Sequence, residues 1–439
     1  MNSNTPVVSS VIKNYTNAQN SFISKNVIIP LAQEYGCSYR ALVRPGDTVQ
    51  EGEKIAVSEG TEVYPTYIHS SLPGVVTEIN SCNLQNGRQE FAIKIKFGGS
   101  FKYLGKNIKE EDIDSLTPSA IIEALLDKGV INTFKTNRTE SLGQQIRKIK
   151  KCGCIAVRMF DEDPHRVTDS LVAKFNLEEI IKASKVVAKA LNAPGIVLAI
   201  DQKMHNKEAL KQYETENLVF LEMNIKRYPC GTPREMVSAF SRSSLKKTCS
   251  FTLSKTDFFT DASSMLEAYN AVLKGIPATS RYIHFSGNCL YSSCMLNVKI
   301  GTPIKDLVSQ LGGFAKTPEL IVINGELGGS SAQSLSLPIT KDIKSIKFVS
   351  RRDFTDEQIY SCVSCGECRS ICPVKISPDL LYNQVVNVLP LSQMLENSAV
   401  ICNACGLCST VCQARLPLAQ TITILKEDIL KKREQEHEK

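Results

Sequence analysis

Two short stretches concentrate the reactive side chains of this 439-residue chain. "SCVSCGECRSICPVKISP", from Ser361, sets Cys362, Cys365, Cys368 and Cys372 at C-x2-C-x2-C-x3-C spacing. "ICNACGLCSTVCQARLPL", from Ile401, repeats it with Cys402, Cys405, Cys408 and Cys412. Three thiolates this close, on a loop to which Gly366 or Gly406 lends backbone freedom, can reach three corners of a polynuclear metal cubane. Structural zinc usually draws two C-x2-C pairs from separate hairpins, so the recurrence of the whole run favours iron–sulfur ligation.

The fourth cysteine of each run stands at the start of the following helix and faces away from its own loop. In the two-cluster ferredoxin arrangement it ligates the other centre. The expected [4Fe–4S] ligand sets are therefore Cys362, Cys365, Cys368 with Cys412, and Cys402, Cys405, Cys408 with Cys372. Gln413 replaces Pro373 of the first run and restores an N–H beside Cys412. The other eight cysteines, "KCGC" (151–154) among them, show no such spacing and read as buried thiols without a role.

The elements that carry these runs follow from length and pattern. At 42% hydrophobic and 22% charged residues the chain is an ordinary folded protein, long enough for two to four domains. The net charge of +7 is scattered through clusters such as "RKIKK" (147–151) and "SSLKK" (243–247), which read as a solvated face, with a docking surface for an acidic electron carrier or anionic lipid as the alternative and no nucleic-acid partner expected. The N-terminal residues lack a secretory pattern, and runs such as "GIVLAI" (195–200) fall far short of the ~20 residues of a membrane helix. Sixteen cysteines without a leader point to a reducing, cytoplasmic setting, with membrane contact made through a partner.

"ALVRPGDTVQEGEKIAVSEG" (41–60) and "YIHSSLPGVVTEI" (67–79) alternate β-prone runs with turns and predict a small β barrel or sandwich, with His69 as a turn residue. It resembles the barrel-sandwich hybrid of biotinyl and lipoyl carriers. The hairpin "SEGTEVYPTYIHSS" has no lysine for attaching a cofactor, which leaves a structural or docking module. Helix 177–193, strand 195–200, helix 206–213 and strand 217–223 predict a layered β-α-β unit. Helices 262–275 and 302–313 and strands 281–287 and 319–325 follow, and "GELGGSSAQS" after Asn324 reads as a tight turn. A helix over 377–390 joins the cysteine runs, and a docked helix with a charged end closes the chain.

Carrier-like barrel first and cluster runs last, the chain resembles the RnfC family, the C subunits of Rnf electron transport complexes. "IIPLAQEYGCSYRALVRPGDTVQEGEKIA" (28–56), "YPCGTPREM" (228–236) and "VKIGTPIKDLVSQLGG" (298–313) carry the likeness along most of the length. The implied fold class is multidomain α/β and α+β. Residues 1–100 would form the barrel-sandwich hybrid, 101–245 an α/β flavin-subunit-like domain, 246–350 a β-grasp module and 351–439 a two-cluster ferredoxin-like helical domain.

Implied too is a peripheral subunit on the cytoplasmic side of the bacterial inner membrane. It would exchange electrons between membrane subunits and a soluble carrier, which could be NADH, ferredoxin or flavodoxin. The family's Gly-rich FMN loop should follow helix 119–129, where this chain reads "VINTFKTNRTESLG", and "DEDP" (161–164) stands for its Glu-Cys-Glu-Pro segment. Phe134, Lys135 and Arg138 fill the place of glycines, so FMN and NADH sites are not expected intact. Lys135 and Arg138 are the groups left to meet an FMN phosphate. A soluble corrin reductase of the same architecture and a scaffold with structural clusters are the alternatives.

Overall fold

The computed structural model describes residues 15, 18–60, 64–85, 87–202, 210–226, 228–351 and 358–437. They divide into two compact units, residues 1–325 with 330–350, and residues 326–329 with 351–439.

A strand covered on both faces must be apolar along its length, as Cys154–Arg158 (CIAVR), Gly195–Asp201 (GIVLAID) and Leu218–Met223 (LVFLEM) are. With Phe258–Asp261 they form a parallel sheet in the order 218–223, 195–201, 154–158, 258–261. Ile155 and Val157 enter a core with helices Pro118–Asp127, Leu177–Leu191 and Ala262–Leu273. Cys154 and Ala156 point the other way, to Met236 and Phe240 of helix Pro233–Arg242. That helix starts at a capping box, Thr232 with Glu235.

Strand 258–261 and helix 262–273 complete the parallel sheet, so the α/β layer runs past the 245/246 boundary expected from sequence. The strand is four residues long and ends in Thr260 and Asp261, too short and polar for its pattern to announce it. Of the expected helix 206–213, residues 206–209 lie outside the described ones.

The N-terminal β region forms two antiparallel sheets. One orders Asn26–Pro30, Gln89–Phe97, Gly74–Asn83 and Thr48–Val49, and the other orders Tyr39–Ala41, Lys54–Ser58 and Tyr67–His69. Ile29, Ile55, Ile68, Ile93 and Ile95 fill the space between. His69 is not a turn residue: it ends a strand and is 3% exposed. Its serine neighbours are buried too, because Ser70 Oγ donates to Leu72 O and Ser71 Oγ to Ile300 O.

A mixed sheet completes this unit, in the order Gln19–Asn20, Cys294–Lys299, Ser280–Ser286, Ser345–Val349, Leu320–Ile323, Ser330–Ala332, with helix Ile304–Gln310 packed on it. Where it meets the parallel sheet, Lys344 Nζ donates to Asp169 Oδ2 at 2.6 Å and to Asp261 Oδ2 at 2.7 Å, all three fully buried. The second unit is helical: Glu367–Ile371, Pro378–Val386, Gln393–Ile401, Leu407–Thr410 and Leu418–His437. Among the described residues no helix is long and apolar enough to cross a membrane.

Candidate metal centres

The two cysteine runs adopt one backbone conformation. Ser364 and Ala404 have φ 53° and 54°, Gly366 and Gly406 79° and 76°, and Lys375 and Arg415 57° and 56°. Each glycine opens a short helix, its carbonyl accepting from Arg369 and Ser370 N–H in the first run and from Ser409 and Thr410 N–H in the second. After the fourth cysteine, Lys375 N–H returns to Cys372 O at 3.2 Å and Arg415 N–H to Cys412 O at 3.0 Å. Exchanging Pro373 for Gln413 leaves this turn unchanged.

Cys362, Cys365 and Cys368 line a recess together with Cys412 of the other run, walled by Ala414, Leu416 and Leu418. Cys365 is the exposed member and Cys368 the buried one. Burial, and next the Asp379 carboxylate, push the Cys368 thiol up. Arg369 holds that carboxylate through two hydrogen bonds, Nε at 2.7 Å, and keeps Asp379 below the usual range.

Cys402 and Cys372 pack in a separate apolar cluster with Ile376, Leu381, Ala399, Ile422 and Ile429. Cys405 and Cys408 stand beside them. Burial first, and then the facing Cys402 and Cys372, push Cys405 up to about 11. Burial with Cys402 and Cys405 pushes Cys408 up to about 12. Burial raises Cys402 as well, against the Ala404 N–H, which donates to its Sγ at 3.4 Å, and the charge of Lys426, whose Nζ donates to Cys402 O at 2.6 Å.

Crowded, buried thiols resist ionisation one by one and ionise on a multivalent centre that displaces their protons. Among the described residues no three Cys, His, Asp or Glu side chains gather as a single metal ion requires. Thiolates around a cubane are kept apart by the cluster itself, and a donor set made only of cysteine suits it. Cys412 beside Cys362, Cys365 and Cys368 gives one such all-cysteine donor set.

A flavin does not find its cradle. The strand order reverses between Cys154–Arg158 and Phe258–Asp261, where doubly wound sheets take ligands beyond their C-terminal ends. Phe134 lies there, 6% exposed, against Phe259, with the Arg158 guanidinium 4.3 Å from its ring centroid. Arg158 Nη2 donates to Phe134 O at 2.9 Å, and Thr133 Oγ1 donates to Asp261 at 2.9 Å, which fastens the loop down. Lys135 is exposed, and Arg138 pairs with Glu140 at 3.4 Å and covers the Tyr35 ring. The structure does not bring these two cations together on a glycine-lined anion site. Arg158, fully buried at the end of its strand, passed unnoticed in the sequence because an arginine after "CIAV" reads as a strand terminus at solvent.

Residues 10–100 match the family model described as the RnfC barrel sandwich hybrid domain. Over 358 residues the chain is 22% identical to the C subunit of the Na(+)-translocating ferredoxin:NAD(+) oxidoreductase complex of Acetobacterium woodii, covering 80% of this chain and 79% of the relative. The chain is related to the C subunits of Rnf-type complexes. The C subunit of the proton-translocating ferredoxin:NAD(+) oxidoreductase complex of Clostridium ljungdahlii is 23% identical, over 82% of this chain and 78% of its own. The C subunit of an ion-translocating oxidoreductase complex of Vibrio cholerae is also 23% identical, and there the chain spans about half the relative's length, 47%. The first two RnfC relatives differ by name in the ion they translocate. Among solved structures, an NAD+-reducing [NiFe]-hydrogenase in the air-oxidized state aligns with a TM-score of 0.42 at 12% identity, over 73% of this chain and 64% of that one.

Proposed function

We propose that this chain is the electron-transfer C subunit of an Rnf-type ion-translocating oxidoreductase complex, peripheral on the cytoplasmic side of the membrane. It would meet the membrane subunits on one side and a soluble carrier on the other. Cys362, Cys365, Cys368 and Cys412 would hold one [4Fe–4S] cluster and Cys402, Cys405, Cys408 and Cys372 the other, which when bound supply one-electron chemistry. The observation that carries the reading is Cys412 in the recess of Cys362, Cys365 and Cys368, since a run that needs the other's last thiolate makes the two centres obligate neighbours.

The protein's own part is to exclude water and to set charge. Ile376, Leu381 and Ile422 bury Cys372 and Cys402, while the Ala404 N–H and Lys426 favour negative charge at Cys402. With Phe134 and Arg158 in the switch-point crevice, hydride chemistry on FMN or NADH falls to other subunits. The layout proposed is barrel, α/β domain, β-grasp module and two-cluster domain.

Iron, sulfide and flavin content of the anaerobically purified chain, with EPR after reduction, tests the reading. About eight irons, no flavin and two interacting reduced centres support it. Four irons or fewer, or clusters silent across the physiological range of potential, overturn it in favour of a scaffold.

A further inference from the structure

Helix Pro378–Val386 ends in a Schellman turn, with Val388 N–H bonded to Val385 O at 3.1 Å and Leu389 N–H to Gln384 O at 2.9 Å. That turn requires a left-handed residue at the position of Val388, where glycine or asparagine ordinarily stands. Val388 takes φ 53° there and is 89% exposed. A β-branched side chain is poorly suited to this conformation, and at such exposure its own chain gives it almost no packing to offset the strain.

Its surroundings share the property. Val386, Leu389 and Met394 are 55%, 50% and 73% exposed. From Leu380 through Leu395 the sequence carries no Asp, Glu, Lys or Arg, in a chain 22% charged. Glu396, just beyond, is paired with Arg433 at 3.9 Å. The tip between helices Pro378–Val386 and Gln393–Ile401 is apolar and electrically neutral.

We propose that this tip docks into a neutral, apolar surface of a partner polypeptide, another subunit of the complex. The inference rests on the reading of the chain as a complex subunit. Charge complementarity selects the occupant. An anionic lipid surface calls for lysine and arginine around the inserted side chains, and residues 380–395 have none. An uncharged protein groove covers the valines and Leu389 without burying any unpaired charge. The strain at Val388 is then kept for binding: the residue that fits the turn least is the most exposed of these four.

This gives the test an unusual sign. In the full chain, produced in cells that make the whole complex, Val388→Asn is expected to raise the thermal midpoint of the purified chain by about 2–5 °C. It should also lower retention in washed membranes about tenfold, the factor supplied by burying one valine. A photo-crosslinking residue, Met394→p-benzoylphenylalanine, should join the tip to an uncharged apolar segment of a different polypeptide, and Val388→Asn should reduce that product by about the same factor. Retention of Val388→Asn at the wild-type level overturns the inference, as does crosslinking only to lipid, only to a second copy of this chain, or to nothing. Absence of the wild-type chain from washed membranes overturns both the inference and the complex-subunit reading; a retained wild type with an equally retained variant overturns the inference alone.

Discussion

Cys412 lines the same recess as Cys362, although the two belong to different cysteine runs. The first run thereby presents its first three thiols with the last thiol of the second, and Cys372 of the first run packs in one cluster with Cys402 of the second.

Cys412→Ala is accordingly expected to remove the centre of the first run and spare the second, and Cys372→Ala to do the reverse. Iron content should fall by about half in each variant, with a different EPR signal surviving. Loss of the same signal in both variants would count against the exchange of ligands.

Lys426 places a cation beside Cys402, and reduction of a cluster adds negative charge. Lys426→Gln should lower the potential of the second centre by roughly 50 mV and leave the first within error. Potentiometric titration followed by EPR separates the two.

Gln413 borders the first recess and carries an N–H that Pro373 lacks in the other run. Gln413→Pro should lower the potential of the centre containing Cys362, because an N–H near cluster sulfur favours the reduced state. Two unmoved potentials dispose of the idea.

Lys344 compensates Asp169 and Asp261 where none of the three meets water. Burial drives Asp169 up, whereas at Asp261 burial is outweighed by Lys344 and the Ser264 N–H, which keep it ionised. Lys344→Met should destabilise the chain by about 3–5 kcal/mol, by leaving a carboxylate buried without its cation. Adding Asp169→Asn and Asp261→Asn should restore part of this in urea unfolding. A single variant as stable as wild type is incompatible with these ion pairs.

Burial, and next Lys341, lower His69 to about 3 against Asp127, and burial lowers His284 to about 4. Both are neutral in the fold and titrate near 6.5 when unfolded. Above pH 6.5 neither state binds the proton and their contribution is intact; as pH falls towards 4 and then 3 the unfolded chain binds protons that the fold refuses. Stability should therefore drop by up to about 1.4 kcal/mol per pH unit for each histidine. Glu34 and Glu267, raised by burial, work in the opposite direction, so the measurement is a difference. The urea midpoint from pH 7 to 4 should slope less steeply in His69→Gln than in wild type, and equal slopes would falsify the assignment.

Much of the local structure was legible. Helix Leu177–Leu191 carries its apolar stripe in the sequence, and the strands Gly195–Asp201 and Leu218–Met223 are apolar enough to declare both faces covered. What hid were polar residues turned inward. His69, Arg158 and Lys344 read as surface by type; partners from distant segments make the burial of Arg158 and Lys344 tolerable, and buried His69 stays neutral. Strand Phe258–Asp261 hid for a related reason, since pairing with Cys154–Arg158, and not its own four residues, makes it a strand.

The sequence by itself determined the two cysteine loops, because closely spaced thiols, Gly366 or Gly406 and the turn after the fourth cysteine act within a few residues of one another. Only the tertiary structure decided that Phe134 and Arg158 fill the crevice, that Cys412 lines the first recess, and that Val388 points out of a turn it fits poorly. Short-range geometry is written in neighbouring residues, whereas a side chain's direction depends on which distant surfaces pack over it.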